Sequence, residues 1–218
     1  MNYELIDDIA VITMDDGKAN AVSYTMMESL NSHLDQAEKE AKAVVLLGKS
    51  GMYSAGFDLK EVQKGPEAAN ALVNTGAHLF HRLYGFPMPL IGGCTGHAIA
   101  AGAFLILCCD TRVGVSGDFK LGLNETAIGM TLPVFGYEIA QSRLSKRHLT
   151  AAVIQATMFD PDAAIDAGFL DEVVEADHLQ ARCLEIATQL SALPKQTYGQ
   201  MKRGVRQSSL EKIEASLR

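Results

Sequence analysis

No stretch of this chain is apolar for long enough to cross a bilayer. The longest run, Ala98 to Cys109, falls well short of the ~20 residues that a spanning helix needs, and suits a buried core helix instead. Met1-Asn2-Tyr3-Glu4 lacks the basic region and apolar stretch of a secretory leader, so none is expected. The four cysteines, Cys94, Cys108, Cys109 and Cys183, have neither metal-type spacing nor the pattern of a disulfide framework. The adjacent pair inside the apolar run reads as small core residues, and a reducing, cytoplasmic compartment follows. Positive charge is scarce as well. With 19 Lys and Arg against 26 Asp and Glu the formal net charge is −7, which argues against bulk nucleic-acid binding, because phosphate contacts require clustered cations. His78 and His81 share a predicted helix but no third ligand follows in a metal pattern, so no metal site is expected. Low-complexity segments and fixed-period repeats are missing too.

What remains is an ordinary globular composition. The chain has 218 residues, of which 48% are hydrophobic and 21% charged. That is enough for one domain with a sizeable core, with or without an appended helical segment. Two short strands are predicted at Tyr3–Ile6 and Ile9–Met14 around an Asp7-Asp8 turn. Ser23 is a candidate N-cap for a helix carrying Met26, Leu30, Leu34 and Ala37 on one face. The continuous apolar run from Ala43 to Gly48 has strand length and reads as buried on both faces. A helix over Glu67–Tyr84, a strand at Leu90–Cys94, a buried helix over Ala100–Cys109 and a strand at Arg112–Val115 follow in turn. Strand and helix thus alternate with short connections, which indicates an α/β layered fold with largely parallel pairing. From Pro133 the pattern turns helical: Pro133–Leu144, Ser145–Thr157, Pro161–Ala167, then a short strand at Asp171–Val174, then Asp177–Leu193 and Pro194–Arg206.

Two glycine-containing turns stand out, Ser54-Ala55-Gly56-Phe57-Asp58-Leu59-Lys60-Glu61 and Thr95-Gly96-His97-Ala98-Ile99-Ala100-Ala101-Gly102. Each places small residues where a strand hands over to a helix. There the backbone can approach a ligand closely, and its N–H groups are not yet used by the helix. Two such turns facing each other would aim two amide donors at one oxygen, the geometry of an oxyanion hole, so carbonyl chemistry is the expectation.

At this point the chain resembles the crotonase superfamily, the enoyl-CoA hydratase/isomerase family. The likeness rests on five segments in order: Lys18-Ala19-Asn20-Ala21-Val22-Ser23, Ser54–Glu61, Gly96–Gly102, Leu121-Gly122-Leu123-Asn124-Glu125 through Gly129, and Ala164-Ile165-Asp166-Ala167-Gly168-Phe169-Leu170-Asp171-Glu172-Val173-Val174. The resemblance implies a spiral of ββα units over 1–132 holding an acyl-CoA site, and a helical oligomerisation segment over 133–218, the two forming one structural unit. It implies a homotrimer or dimer of trimers, and coenzyme A as part of the substrate with no separate cofactor. By motif position the oxyanion amides belong to Phe57 and Ala101, and the acyl-CoA lies against Ala19, Ala21, Ala55, Phe57, Asp58, Leu59, Lys60, Ala101 and Phe104.

Two positions bear on the chemistry that the resemblance implies. Hydratases of this family use two glutamates, and the first of these positions holds Phe104 here, which neither accepts nor donates a proton. The second corresponds to Glu125. A single carboxylate suffices to shift a double bond, and members with only that glutamate are similar to Δ3,Δ2-enoyl-CoA isomerases. Ile128, Met130, Leu132 and Phe135 are expected to desolvate Glu125 and raise its pKa. A hydratase-like or thioester-hydrolysing enzyme using Glu125 with water is an alternative, as is a catalytically silent acyl-CoA-binding subunit. Asp58 is expected to cap the helix that it opens, and His97 to pack beside its turn. Lys195, Lys202, Arg203 and Arg206 are read as a solvated face that could also reach the nucleotide end of coenzyme A.

Overall fold

The computed structural model describes residues 1–217. Strands β1 (Asn2–Ile6), β2 (Ile9–Thr13), β3 (Ala43–Leu47), β5 (Leu90–Cys94), β7 (Thr111–Val115) and β9 (Glu172–Val174) form one six-stranded sheet in the order β1-β2-β3-β5-β7-β9. Only the β1–β2 hairpin is antiparallel; every other neighbouring pair is parallel. Between these strands the chain sends β4 (Gly51–Ser54), β6 (Gly96–Ile99) and β8 (Leu121–Gly122) into a second, three-stranded parallel sheet. The path therefore alternates large sheet, small sheet, then helix: β3 and β4 lead through α2 (Leu59–Val62) to α3 (Pro66–Tyr84), and β5 and β6 lead to α4 (Ala101–Leu107). This is the spiral of ββα units.

Local chemistry fixes the element ends. Ser23 accepts from the Met26 amide at 3.2 Å and opens α1 (Tyr24–Glu40), whose buried stripe is Met26, Met27, Leu30, Leu34 and Ala37. Asp160 accepts from Ala163 N at 2.8 Å with Pro161 in the first turn, and Gly168 closes α6 (Pro161–Ala167) in the left-handed region. All five residues of β3 are buried, as befits a parallel strand covered on both faces. One face packs on the helices of the spiral. The other meets α7 (Leu179–Ser191), where Leu179, Cys183, Ile186 and Ala187 lie against Val11, Val45, Ile91 and Val113.

The carboxy-terminal half differs from the sequence reading in two places. Only a π-turn, Thr150–Ile154, forms within the helix expected over Ser145–Thr157. The last helix, α8 (Lys195–Ser216), runs well past Arg206. The solvated cationic face is also incorrect, because helical spacing alone does not reveal an acidic partner far away in the chain. Lys202 and Arg206 are buried around Asp110, in the turn between α4 and β7, at 2.6 and 3.0 Å from its carboxylate oxygens. Tyr198 donates its hydroxyl to the same group at 3.0 Å, as does the Leu90 amide at 2.9 Å. Lys202 also donates to Met88 O, and Arg206 to Tyr84 O. Lys195 is spent on the carbonyls of Glu38 and Ala41 at the end of α1. Arg203 alone of the four remains exposed. Together with Arg143 of α5 (Val134–Arg143), which donates to Leu107 O and Cys109 O, this network satisfies the carbonyls at the end of α4 and fastens α8 over it.

Breaking a buried pair by neutralising one partner leaves an uncompensated charge, at a cost of about 3–5 kcal/mol. Asp110→Asn is therefore expected to lose about that much unfolding free energy in urea titration, whereas a change below ~1 kcal/mol would show that the network is not structural.

Candidate active site

The strands β4, β6 and β8 run parallel, with Ser54 paired to Ala98 and Ala98 to Leu121. Their carboxyl ends therefore share one edge of the small sheet. From that edge leave the three segments singled out in the sequence: Ala55-Gly56-Phe57, Ala100-Ala101 and Leu123-Asn124-Glu125. Crevices outside the carboxyl ends of parallel strands are the usual ligand sites of α/β sheets.

The first segment is strapped by Ala19-Asn20-Ala21. Asn20, buried and in the left-handed region at φ 50°, donates its side-chain amide to Met14 O at 2.8 Å and to Met52 O and Tyr53 O at 3.2 Å. Ser54 returns its hydroxyl to Asn20 O at 2.7 Å. Burial works to raise the Asp16 carboxyl, but the amides of Asn20, Lys18 and Ala21 outweigh it and hold the group below the usual carboxylate range. Ala55 N donates to Ala19 O and Val22 N to Gly56 O, at 3.0 and 2.8 Å. Asp58 accepts from Lys60 N at 3.0 Å and caps α2 as expected. Ala19, Ala21, Ala55, Phe57 and Asp58 are thus brought together, while Leu59 and Lys60 point outward along α2, Leu59 being 65% exposed.

The second segment hinges on Ala100, whose φ of 52° and ψ of −122° are strained for a residue with a Cβ. Ala100 N donates to Gly122 O at 2.9 Å, and Ala100 O accepts from Ala103 and Phe104, so the strand turns into α4 within one residue. The two segments touch. A Cβ on Gly56, itself at φ 97°, would fall 3.1 Å from Ala100 Cβ and 3.5 Å from Ala101 N. One on Gly102 would fall 2.2 Å from Ser54 O. Only glycine admits this approach. Among the described residues neither the Phe57 nor the Ala101 amide has a backbone acceptor.

Glu125 opens a 3-10 turn, Thr126–Ile128, and its carbonyl accepts from Ile128 N and Met130 N at 3.1 and 2.9 Å. Thr126 donates its hydroxyl to Val153 O in the π-turn at 3.1 Å, tying the loop down. The Glu125 Oε2 atom is buried without a hydrogen-bond partner. Burial raises its pKa above the ordinary glutamate value, against a weaker opposing effect from its own amide. The expected source of that burial needs correction. Leu132 and Phe135 are buried, but Ile128, at the end of the 3-10 turn, and Met130, just past its Gly129 cap, are 54% and 41% exposed. Phe104, 1% exposed, lies among Phe80 and Phe135. His97 accepts from Lys120 N at 3.0 Å through Nδ1 and packs edge-on to Phe119, in keeping with a packing role.

Asp16 is a support that the sequence reading passed over, although Asp15-Asp16-Gly17 is a turn signal that could have pointed to it; Asn20 was read there as part of a motif, without its bracing role. Thr126 had no such signal, because its acceptor belongs to a π-turn that sequence does not announce.

Residues 4–217 match the family model described as enoyl-CoA hydratase/isomerase. The chain is 27% identical to enoyl-CoA delta isomerase 1, mitochondrial, of Mus musculus, over 94% of this chain and 73% of that protein. It is 36% identical to a protein of Bacillus subtilis named as a probable enoyl-CoA hydratase, over 56% of this chain and 48% of that one. The crystal structure of an enoyl-CoA hydratase/isomerase family protein from Pseudomonas syringae superposes with a TM-score of 0.96 at 43% identity, covering 99% of this chain and 94% of that one.

An acid whose pKa is raised on folding destabilises the fold once it ionises, and has no such effect while both states are protonated. Glu125→Gln is therefore expected to raise the urea midpoint at neutral pH. The gain should vanish below the ordinary glutamate pKa of about 4.3. A stability loss at neutral pH would mean that the carboxylate has a stabilising partner.

Proposed function

The chain belongs to the enoyl-CoA hydratase/isomerase family, and from that premise we propose that it shifts the double bond of a 3-enoyl-CoA to the 2-position. The observation that carries this reading is the buried, unpartnered Oε2 of Glu125, with a hydrocarbon ring at Phe104 where a hydration mechanism needs a second acid. Phe57 N–H and Ala101 N–H donate to the thioester oxygen. Glu125 takes a proton from C2; the electron pair moves onto that oxygen as an enolate, and the same carboxylic acid delivers the proton to C4. No proton leaves the site and no water is consumed. Loss of one oxyanion donor elsewhere costs about 3–4 kcal/mol, so two amides stabilise such an enolate substantially. The substrate brings its own coenzyme A, and the mechanism needs no other cofactor.

An ultraviolet assay for conjugation of 3-hexenoyl-CoA, run beside crotonyl-CoA hydration, tests the reading. Isomerisation should far outpace hydration, and the reverse order would refute it. Glu125→Gln should lower kcat by about 10² to 10⁴, the range of positioned acid–base catalysis, with acyl-CoA affinity retained. The ionised form acts as base, so kcat/KM should fall on acidification with a midpoint above the ordinary glutamate value of about 4.3.

A further inference from the structure

We propose that the site accepts only short acyl groups, and that Phe57 sets the limit. This rests on the acyl-thioester reading above. If Phe57 N–H holds the thioester oxygen, its side chain starts beside the acyl group, since Cα and Cβ follow directly from that nitrogen. The ring lies in a notch at Gly76 of α3, where an added Cβ would fall 2.6 Å from ring atoms Cε1 and Cζ. It meets Phe80 edge-on with centroids 6.3 Å apart. Phe104 stands one helical turn beyond Ala101, on the same face of α4. Its ring is 6.1 Å from Phe80 and 5.5 Å from Phe135, and Phe80 stacks on Phe135 at 4.7 Å.

Four rings thus close the space behind the two donor amides. The far margin is close-packed too, though less tightly than the notch at Gly76: a Cβ on Gly136 would fall 3.2 Å from Phe104 Cζ. A methyl group added at either end would have to push a ring aside. A packed interior resists added methylenes, so a long alkyl tail cannot thread this cluster without displacing a ring. Phe57 is the ring best placed to yield. It is only partly buried, whereas Phe80, Phe104 and Phe135 are all at 1% exposure or less.

The test compares kcat/KM for 3-hexenoyl-CoA and 3-dodecenoyl-CoA in wild type, Phe57→Ala and Phe57→Leu, both acyl-CoAs below their micelle concentrations. Wild type should favour the six-carbon substrate by at least about tenfold, the scale of discrimination by an apolar pocket. Phe57→Ala should shrink or invert that ratio by a similar factor, and Phe57→Leu should fall between and serves if the alanine variant does not fold. Equal wild-type rates for both substrates, or a ratio that neither variant moves, would overturn the limit and mean that the tail leaves toward solvent. Calorimetric binding of hexanoyl-CoA and dodecanoyl-CoA to wild type separates the two readings. If no substrate is isomerised the isomerase proposal fails, while tighter binding of the shorter ester would still support the size limit, and equal or weaker binding would refute it.

Discussion

The site depends on the parallel alignment of three short strands. Because β4, β6 and β8 end at one edge of the small sheet, three stretches distant in sequence leave it side by side. The alignment tolerates little error. The backbone of Gly102 lies so close to Ser54 that even a methyl group would overlap its carbonyl, so the start of α4 is seated directly on the turn that carries Phe57. Ala100 is held in a strained conformation at that junction. Strain of this kind costs on the order of 1–3 kcal/mol and persists only where the surroundings over-determine it. Here they do so through the β8 carbonyl of Gly122 and the first turn of α4.

Two buried carboxyls show how one fold assigns opposite duties to the same chemistry. Asp110 is surrounded by Lys202, Arg206, the Tyr198 hydroxyl and the Leu90 amide. Two cations answer its charge, Lys202 at Oδ2 and Arg206 at Oδ1, where the ion pair stands without a hydrogen bond, and the group locks α8 onto the end of α4. Glu125 has an oxygen buried with no partner at all. An unpaired buried carboxyl burdens stability and favours a proton, which is what a group that must take and return one requires. The first arrangement stabilises the scaffold; the second makes a reactive group on it.

The α/β architecture, the hairpin, the buried helix and the two small-residue turns were legible from the sequence, because each carries its own local signal. Ser23 and Asp160 mark helix starts, the apolar run at Ala43–Leu47 marks a buried strand, and the segments around Gly56 and Gly102 mark close backbone approach. What stayed hidden depends on partners remote in sequence. Lys202 and Arg206 look like a solvated face until Asp110 is brought against them. The exposure of Ile128 and Met130 goes with a 3-10 turn at Thr126–Ile128, which the apolar residue types do not announce. The π-turn at Thr150–Ile154 interrupts what periodicity presents as a plain helix, and with it came the unforeseen anchor of Thr126 to Val153.

A crystal structure of the protein with hexanoyl-CoA bound bears most directly on the central claim. The thioester oxygen should lie about 2.7–3.1 Å from both the Phe57 and the Ala101 nitrogens, with the Glu125 carboxyl in reach of C2. A thioester bound away from those two amides, or Glu125 turned from the acyl group, would contradict the account.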